Sequence, residues 1–288
     1  MKGLFWGLLT IDLHFFTDHF PEENTKTKVK KFNSYIGGPA TNAAITFKYL
    51  GGTPNLITAI GINSFNLMIK EEIEKYKIEP IDLNAEEQSD PVFASIITNE
   101  SSGERTVFSY NPNQPITHKV PKLSMDFDIA LFDGFYIESA IKQAAVCRAN
   151  GIPTVFDGGS WKNKTDELLK YIDIAICSED FMPPGITHQE DITAYLLKKG
   201  VKKAVITRGS KPIIINEGPV NLLVEVPKIA VVDTLGAGDI FHGAFCYYYA
   251  SSHDFLESLE KAAKIASFSC EFHGPRAWMD QGKFDNPT

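Results

Sequence analysis

The feature that most restricts this chain is a rhythm. Short apolar runs alternate with stretches of helical periodicity along most of its 288 residues. Leu4 to Ile11, Asn55 to Ile60, Ile129 to Phe132, Thr154 to Phe156, Ile174 to Cys177 and Ala204 to Thr207 read as strands with no polar face. That is the pattern of strands buried on both sides. Helical patterns fall between and after them, at Ala40 to Leu50, Leu67 to Tyr76, Ser139 to Asn150, Thr165 to Tyr171, Gln189 to Lys199, Ala237 to Ala250 and Phe255 to Phe272. Strand followed by helix, repeated, predicts an α/β fold. Its mostly parallel sheet is covered by helices on both faces, in three αβα layers.

Two stretches, about 13–36 and 91–110, break the rhythm. The second reads as two strands, Val92 to Thr98 and Arg105 to Tyr110, around a turn containing Gly103. Pro212 to Ile215 and Leu222 to Val226 look like a further hairpin. No repeat or linker separates these parts, so we expect one domain over 1–288 with a small β excursion assembled from separate segments.

Charge and cysteine usage exclude several classes. With 28 Lys+Arg against 36 Asp+Glu the formal charge is −8, which argues against nucleic acid as a partner. Cys147, Cys177, Cys246 and Cys270 form no C-x-x-C pair, so neither a zinc ribbon nor a disulfide framework is expected. The apolar start is short, is ended by Asp12 and has no cleavage-site pattern; no run reaches membrane-spanning length. The expectation is a cytoplasmic protein with no membrane partner.

The chemistry concentrates in Val231-Val-Asp233-Thr-Leu-Gly236-Ala237-Gly238-Asp239, which runs straight into an apolar helical pattern. Gly236, Ala237 and Gly238 carry little side chain, so an anion can approach their backbone N–H groups at a helix N-terminus. Asp239 at the same helix start can accept a proton from a hydroxyl. An anion hole beside a base is apparatus for phosphorylating an alcohol. Upstream, Gly37-Gly38-Pro39-Ala40-Thr41-Asn42 joins a glycine pair to an Asn on the first turn of a helix. Asn42 can donate and accept hydrogen bonds there. There is no Walker A sequence, and no G-x-G-x-x-G follows a strand.

These two motifs resemble the signatures of the ribokinase-like (PfkB-type) carbohydrate kinases, and the resemblance extends over nearly the whole chain. It implies a ribokinase-like fold whose β excursion is a lid over the sugar, often also a dimer contact. It implies ATP and Mg²⁺, and in many members K⁺. Asp239 is then the base, with Gly236, Ala237 and Gly238 as the anion hole. Asp12, Gly37, Gly38, Asn42 and Asp133 match substrate-side positions, and Arg105 lies in the lid hairpin within reach of substrate or nucleotide. Thr207, Gly209 and Ser210 resemble a segment lining the nucleotide, Gly274 a loop shaping the adenine pocket, and Asp233 a monovalent-cation ligand.

The chain also departs from the pattern. Where the family often shows Asn-x-x-Glu, linked to the magnesium shell, Ser178 and Phe181 stand, leaving Glu179 or Asp180 as substitutes. Lys162 is a candidate cation near the phosphates. The seven histidines show no metal spacing, His242 is expected to pack, and Arg276 to buttress the nucleotide loop. No basic residue lies in the loop from Gly37 to Ala44, and Asp12 would repel a second phosphate, so the expected acceptor is an unphosphorylated sugar or polyol. Two alternatives stay open: a nucleoside kinase of the same family, and a non-catalytic sugar- or nucleotide-binding protein that keeps the fold.

Overall fold

The computed structural model describes residues 1–29, 31–112, 116, 122–216 and 221–281; His118, one of the seven histidines, lies outside them. The apolar run at the start, expected as one strand, forms two. β1 (Lys2–Trp6) enters one sheet and β2 (Thr10–Thr17) another. The break falls at Gly7, whose missing side chain leaves room for the Asp133 carboxyl: a Cβ there would lie 2.1 Å from it. The Leu8 N–H donates to that same carboxyl at 2.8 Å, which turns the chain out of the first sheet.

After β3 (Lys31–Gly37) come α1 (Pro39–Tyr49), β4 (Thr53–Thr58), α2 (Asn66–Tyr76) and a short β5 (Pro80–Asp82) absent from the sequence reading. β6 (Phe93–Asn99) and β7 (Arg105–Tyr110) form the expected hairpin. The alternation resumes with β8 (Ile129–Phe132), α3 (Ile137–Ala149), β9 (Thr154–Gly158), α4 (Thr165–Leu169), β10 (Ile174–Ser178), α5 (Glu190–Lys198) and β11 (Lys203–Arg208). β12 (Lys211–Asn216), β13 (Asn221–Val224), α6 (Ala237–Ser252), α7 (Phe255–Ser269) and a 3-10 turn (Ala277–Gln281) complete it. α7 stops three residues short of the expected Phe272.

Nine strands form the large sheet in the order β13-β12-β11-β10-β9-β8-β1-β4-β5, parallel except for the β11-β12-β13 end. Its neighbouring residues feed opposite layers. Phe5, Leu131, Val155, Ile176 and Val205 pack with α1, α6 and α7. Trp6, Phe132, Phe156, Cys177 and Ile206 pack with α3, α4 and α5. This is the three-layer αβα architecture, and burial on both faces is why these strands read as unbroken apolar runs.

The second sheet has the order β3-β2-β6-β7, with β2 antiparallel to β3 and parallel to β6. It starts at Thr10 and so includes Asp12, earlier than the excursion expected from about residue 13. Asp12 lies opposite Tyr35 and His14 opposite Asn33, which puts these four side chains on one face of the sheet. No helix among the described residues is long and apolar enough to cross a membrane.

Candidate active site

The site forms where the carboxyl ends of the large sheet's strands meet the second sheet. Two helix starts build it. α6 opens at Gly236, whose φ of 74° is in the region that favours glycine. α1 opens at Gly38, with φ 97° and space for a Cβ only 2.3 Å from the Leu8 carbonyl oxygen. The two helices touch at Gly243, where a Cβ would sit 2.3 Å from the Ala43 carbonyl oxygen. That close approach, one turn beyond Asp239, brings Asn42 against the α6 start. The Asn42 amide Nδ2 donates to Asp239 Oδ2 at 2.6 Å.

Asp12 is 5% exposed and accepts from the Thr10 hydroxyl at 2.6 Å. Its carboxyl fills the space beside Gly37, where a Cβ would lie 1.9 Å from Asp12 Oδ2. The glycine pair therefore admits the chain's own Asp12 and Leu8 atoms. Burial pushes the Asp12 carboxyl up to about 6, with the Asp239 charge adding to the rise and the Thr10 hydroxyl and Arg276 opposing it. Asp239 is likewise pushed up to about 6, first by burial and then by the Asp157 charge, against the Asn42 N–H, His242 and Arg105. Two carboxyls shifted upward in one cluster at the meeting of the two sheets make this the candidate functional site.

Asp133 has another occupation. Its Oδ2 accepts from the N–H groups of Leu8 (2.8 Å) and Ala40 (3.2 Å), and its Oδ1 from Phe135 N–H (3.0 Å). At 1% exposure it clamps the end of β1 to the start of α1, so its contacts are to backbone where a substrate ligand was expected. Burial raises its carboxyl, and those amides and Lys162 counter the rise. Lys162 Nζ donates to the Asp133 carbonyl oxygen at 3.2 Å and lies 4.5 Å from the centre of the Phe135 ring, which keeps a cation beside the cluster.

His242 does more than pack. Its Nδ1 lies 2.7 Å from the Gly238 carbonyl oxygen and 3.4 Å from Asp157 Oδ2, and its Nε2 lies 3.1 Å from the Ile176 carbonyl oxygen. The ring thus ties the α6 start to β9 and β10. The sequence offered only a His three residues after the Asp.

The second sheet is docked on the loop before α6. Asp233 Oδ1 accepts from Leu235 N–H (2.9 Å), its Oδ2 from Gly274 N–H (2.8 Å), and His14 Nε2 lies 3.8 Å from Oδ2. Among the described residues the hydrogen-bond donors to this carboxylate are backbone N–H groups. His14, fully buried, also pairs with the Thr98 hydroxyl at 2.8 Å; burial pushes its imidazole down to about 4, with Asp233 opposing. Arg105 donates to the Thr234 hydroxyl and forms no ion pair among the described residues. Gly274, expected at the adenine pocket, sits between Asp233 and Tyr35 of the second sheet.

The remaining nucleotide-side residues lie at the β10 and β11 ends. Thr207 Oγ1 donates to the Cys177 carbonyl oxygen at 3.4 Å, and the turn that follows, Gly209-Ser210, has open space where a Gly209 side chain would be. Glu179 faces Lys211 Nζ at 3.3 Å. Among the described residues no hydrogen bond or ion pair joins Thr207 or Glu179 to Asp239, and no group of three His, Cys, Asp or Glu forms a metal cluster.

Sequence reasoning missed the contact that completes the cluster. Arg276, 5% exposed, donates through Nη2 to Asn42 Oδ1 at 2.5 Å and to the Ile36 carbonyl oxygen at 3.0 Å. A cleft of about 550 Å³ opens beside it, walled by Lys31, Asn33 and Tyr35 of β3, Tyr76 of α2 and His273. Nothing in the local sequence ties residue 276 to residue 42; only the fold does.

A small-residue turn feeding a long helix, with a held carboxylate on the first turn and a second sheet docked over it, is the arrangement expected of a phosphotransferase with an alcohol acceptor. The comparisons agree. The pfkB family carbohydrate kinase model matches residues 2–281, and the chain belongs to that family. It is 25% identical to a ribokinase of Staphylococcus aureus, over 96% of this chain and 95% of the relative. It is 24% identical to a nucleoside kinase of Methanocaldococcus jannaschii, over 93% and 90%. Its fold superposes on Arabidopsis thaliana ribokinase complexed with ribose and ATP with a TM-score of 0.74, at 21% identity over 95% and 93% of the two chains.

Proposed function

We propose that this kinase transfers the γ-phosphate of ATP to a hydroxyl of a small unphosphorylated sugar, with Asp239 as the general base. The observation that carries this reading is the Asp239 carboxylate, held by Asn42 on the first turn of α6 beside the amides of Gly236, Ala237 and Gly238. Those amides suit a phosphate. Gly238 has no atom within 4 Å of the place a Cβ would occupy, so the turn is open to a ligand. ATP with Mg²⁺ supplies the phosphoryl group and neutralises its charge. The protein's part is to orient the acceptor between Asp12 and Asp239, to take the hydroxyl proton on Asp239, and to meet the developing negative charge with amides and the α6 dipole.

The acceptor side is acidic. Asp12 and Asp239 face it, and among the described residues neither forms an ion pair with a Lys or Arg, although the charges of Arg276 and Arg105 act on them from further away. A second phosphate on the acceptor would meet two carboxylates, whereas sugar hydroxyls can donate to them. The four-stranded sheet is the lid of one catalytic domain. Its exposed edge strand, with Val107, Phe108 and Tyr110, is where a second copy would pair. Thr207, Gly209 and Ser210 border the nucleotide, and Lys162 stands near its phosphates.

Asp239→Asn removes the base and leaves the amides in place. Turnover, followed by coupled ADP release with a panel of free sugars, falls by at least ~10²-fold while nucleotide binding persists. Near-normal turnover in this variant overturns the assignment.

A further inference from the structure

The orientation of the Asn42 amide is decided by its two neighbours. The two ends of its amide have the same shape, so only the hydrogen-bond network decides which end faces Asp239. On one side stands Asp239 Oδ2, at 2.6 Å, and on the other Arg276 Nη2, at 2.5 Å. A guanidinium has five donors and no acceptor, so the atom that meets it must be the amide oxygen. The amide nitrogen is then directed at Asp239.

We propose that Arg276 is a positioning residue for phosphoryl transfer: it locks the Asn42 amide with its N–H₂ toward Asp239, holding Oδ2 and leaving Oδ1 to take the acceptor's proton. This rests on Asp239 being the base. The lock is well built. Arg276 is 5% exposed, its other donors reach the carbonyl oxygens of Ile36 (3.0 Å) and Pro275 (3.2 Å), and its guanidinium lies 5.3 Å from the Tyr76 ring centre. Among the described residues it forms no ion pair, so its fixed contacts are the two backbone oxygens and Asn42.

Reversing the amide has a definite electrostatic sign. With its oxygen toward Asp239, lone pairs would face a carboxylate, and only the protonated acid could donate to it. The neutral form of the base would be favoured, at the expense of the form that accepts a proton. Around Asp239 stand Asp157 from β9 and Asp12 from β2, which favour its neutral form. His242 on its own helix, Arg105 from β7 and Arg276 favour the ionised form. The balance between these groups leaves the Asn42 amide with a deciding voice.

The experiment is the pH profile of kcat/KM, with ATP, Mg²⁺ and the best free sugar, for wild type, Arg276→Gln and Arg276→Lys. Glutamine matches arginine's length but carries both a donor and an acceptor, so it tolerates either amide orientation. Its acid limb is expected to move up by about one pH unit, so that activity drops about tenfold below the limb and recovers on the alkaline side. Lysine, a donor only, keeps the limb at the wild-type position. Should glutamine disturb folding, Asn42→Ala removes the amide while keeping the Arg276 charge, and its limb is expected to move up as well. A limb that stays in place while the rate falls equally at every pH overturns the proposal, as does a lysine variant that shifts as far as glutamine. Turnover that survives Asp239→Asn is a separate failure, of the base assignment itself, and no Arg276 variant produces it.

Discussion

The two sheets solve opposite problems. In the nine-stranded sheet every residue of β8, from Ile129 to Phe132, is buried, and successive side chains enter different helical layers. In the four-stranded sheet all six residues of β7 are exposed, and in β6 only Ile96 and Thr98 are fully buried. The first sheet is a packed scaffold whose strand ends can fix a carboxylate, as Asp133 is fixed by three amides. The second brings Asp12, His14 and Arg105 to that scaffold from one side, while its other side runs from buried Ile11 and Ile36 out to exposed Phe32 and Phe108. Stability is therefore concentrated in one sheet and adaptability in the other, with the chemistry at their meeting.

The largest effect that would break this contrast is a core truncation. Phe132 is fully buried against the α3–α4 layer, whereas Phe108 on β7 is 64% exposed. Phe132→Ala removes a large buried side chain and costs about 3–5 kcal/mol in chemical denaturation. Phe108→Ala stays within about 0.5 kcal/mol, as exposed substitutions usually do. Comparable losses would mean that the outer face of the second sheet is covered in solution.

The same contrast explains what could be read from the sequence. Strands of the large sheet stood out because burial on both faces leaves a solid apolar run. The Leu4 to Ile11 run misled for the same reason: β1 and β2 are both buried, and only Gly7, shaped by the Asp133 carboxyl far along the chain, tells them apart. The α6 start was legible because the small residues Gly236, Ala237 and Gly238 run straight into an apolar helical pattern. Arg276 and His242 were not, since their roles depend on partners 234 and 66 residues away in sequence. Asp133 was placed correctly at a strand end, yet its hydrogen bonds go to backbone, which no motif encodes.

A smaller effect sharpens the boundary between the sheets. The Asp12 carboxyl is raised from 3.8 to about 6, so the folded protein holds its proton more tightly than the unfolded chain. Below about pH 4 both states are protonated and Asp12 costs nothing. As pH rises from 4 to 6 the folded state loses that advantage, and above 6 the full cost of a buried charge applies. Asp12→Asn mimics the protonated side chain and can still accept from Thr10. Its melting temperature should match wild type near pH 4 and exceed it at pH 8, by the equivalent of about 1–3 kcal/mol. Activity falls at the same time if Asp12 orients the acceptor. A variant no more stable at pH 8 than wild type would show that Arg276 already neutralises this carboxylate.

The smallest effect tests whether the second sheet acts as a lid. Arg105 reaches from β7 to the Thr234 hydroxyl, two residues before Gly236, and its own surroundings are exposed. An exposed contact of this kind adds little to folding, so Arg105→Ala should leave stability within about 0.5 kcal/mol of wild type. What it joins is the second sheet to the loop before α6. If the sheet closes over bound acceptor, losing this tie favours the open form, and KM for the sugar rises by up to about tenfold, the equivalent of roughly 1.5 kcal/mol. Asp239 and its Asn42 contact are untouched, so kcat changes less than KM. A fall in kcat at constant KM would instead place Arg105 on the transferring phosphoryl group, a catalytic contact made by the second sheet itself.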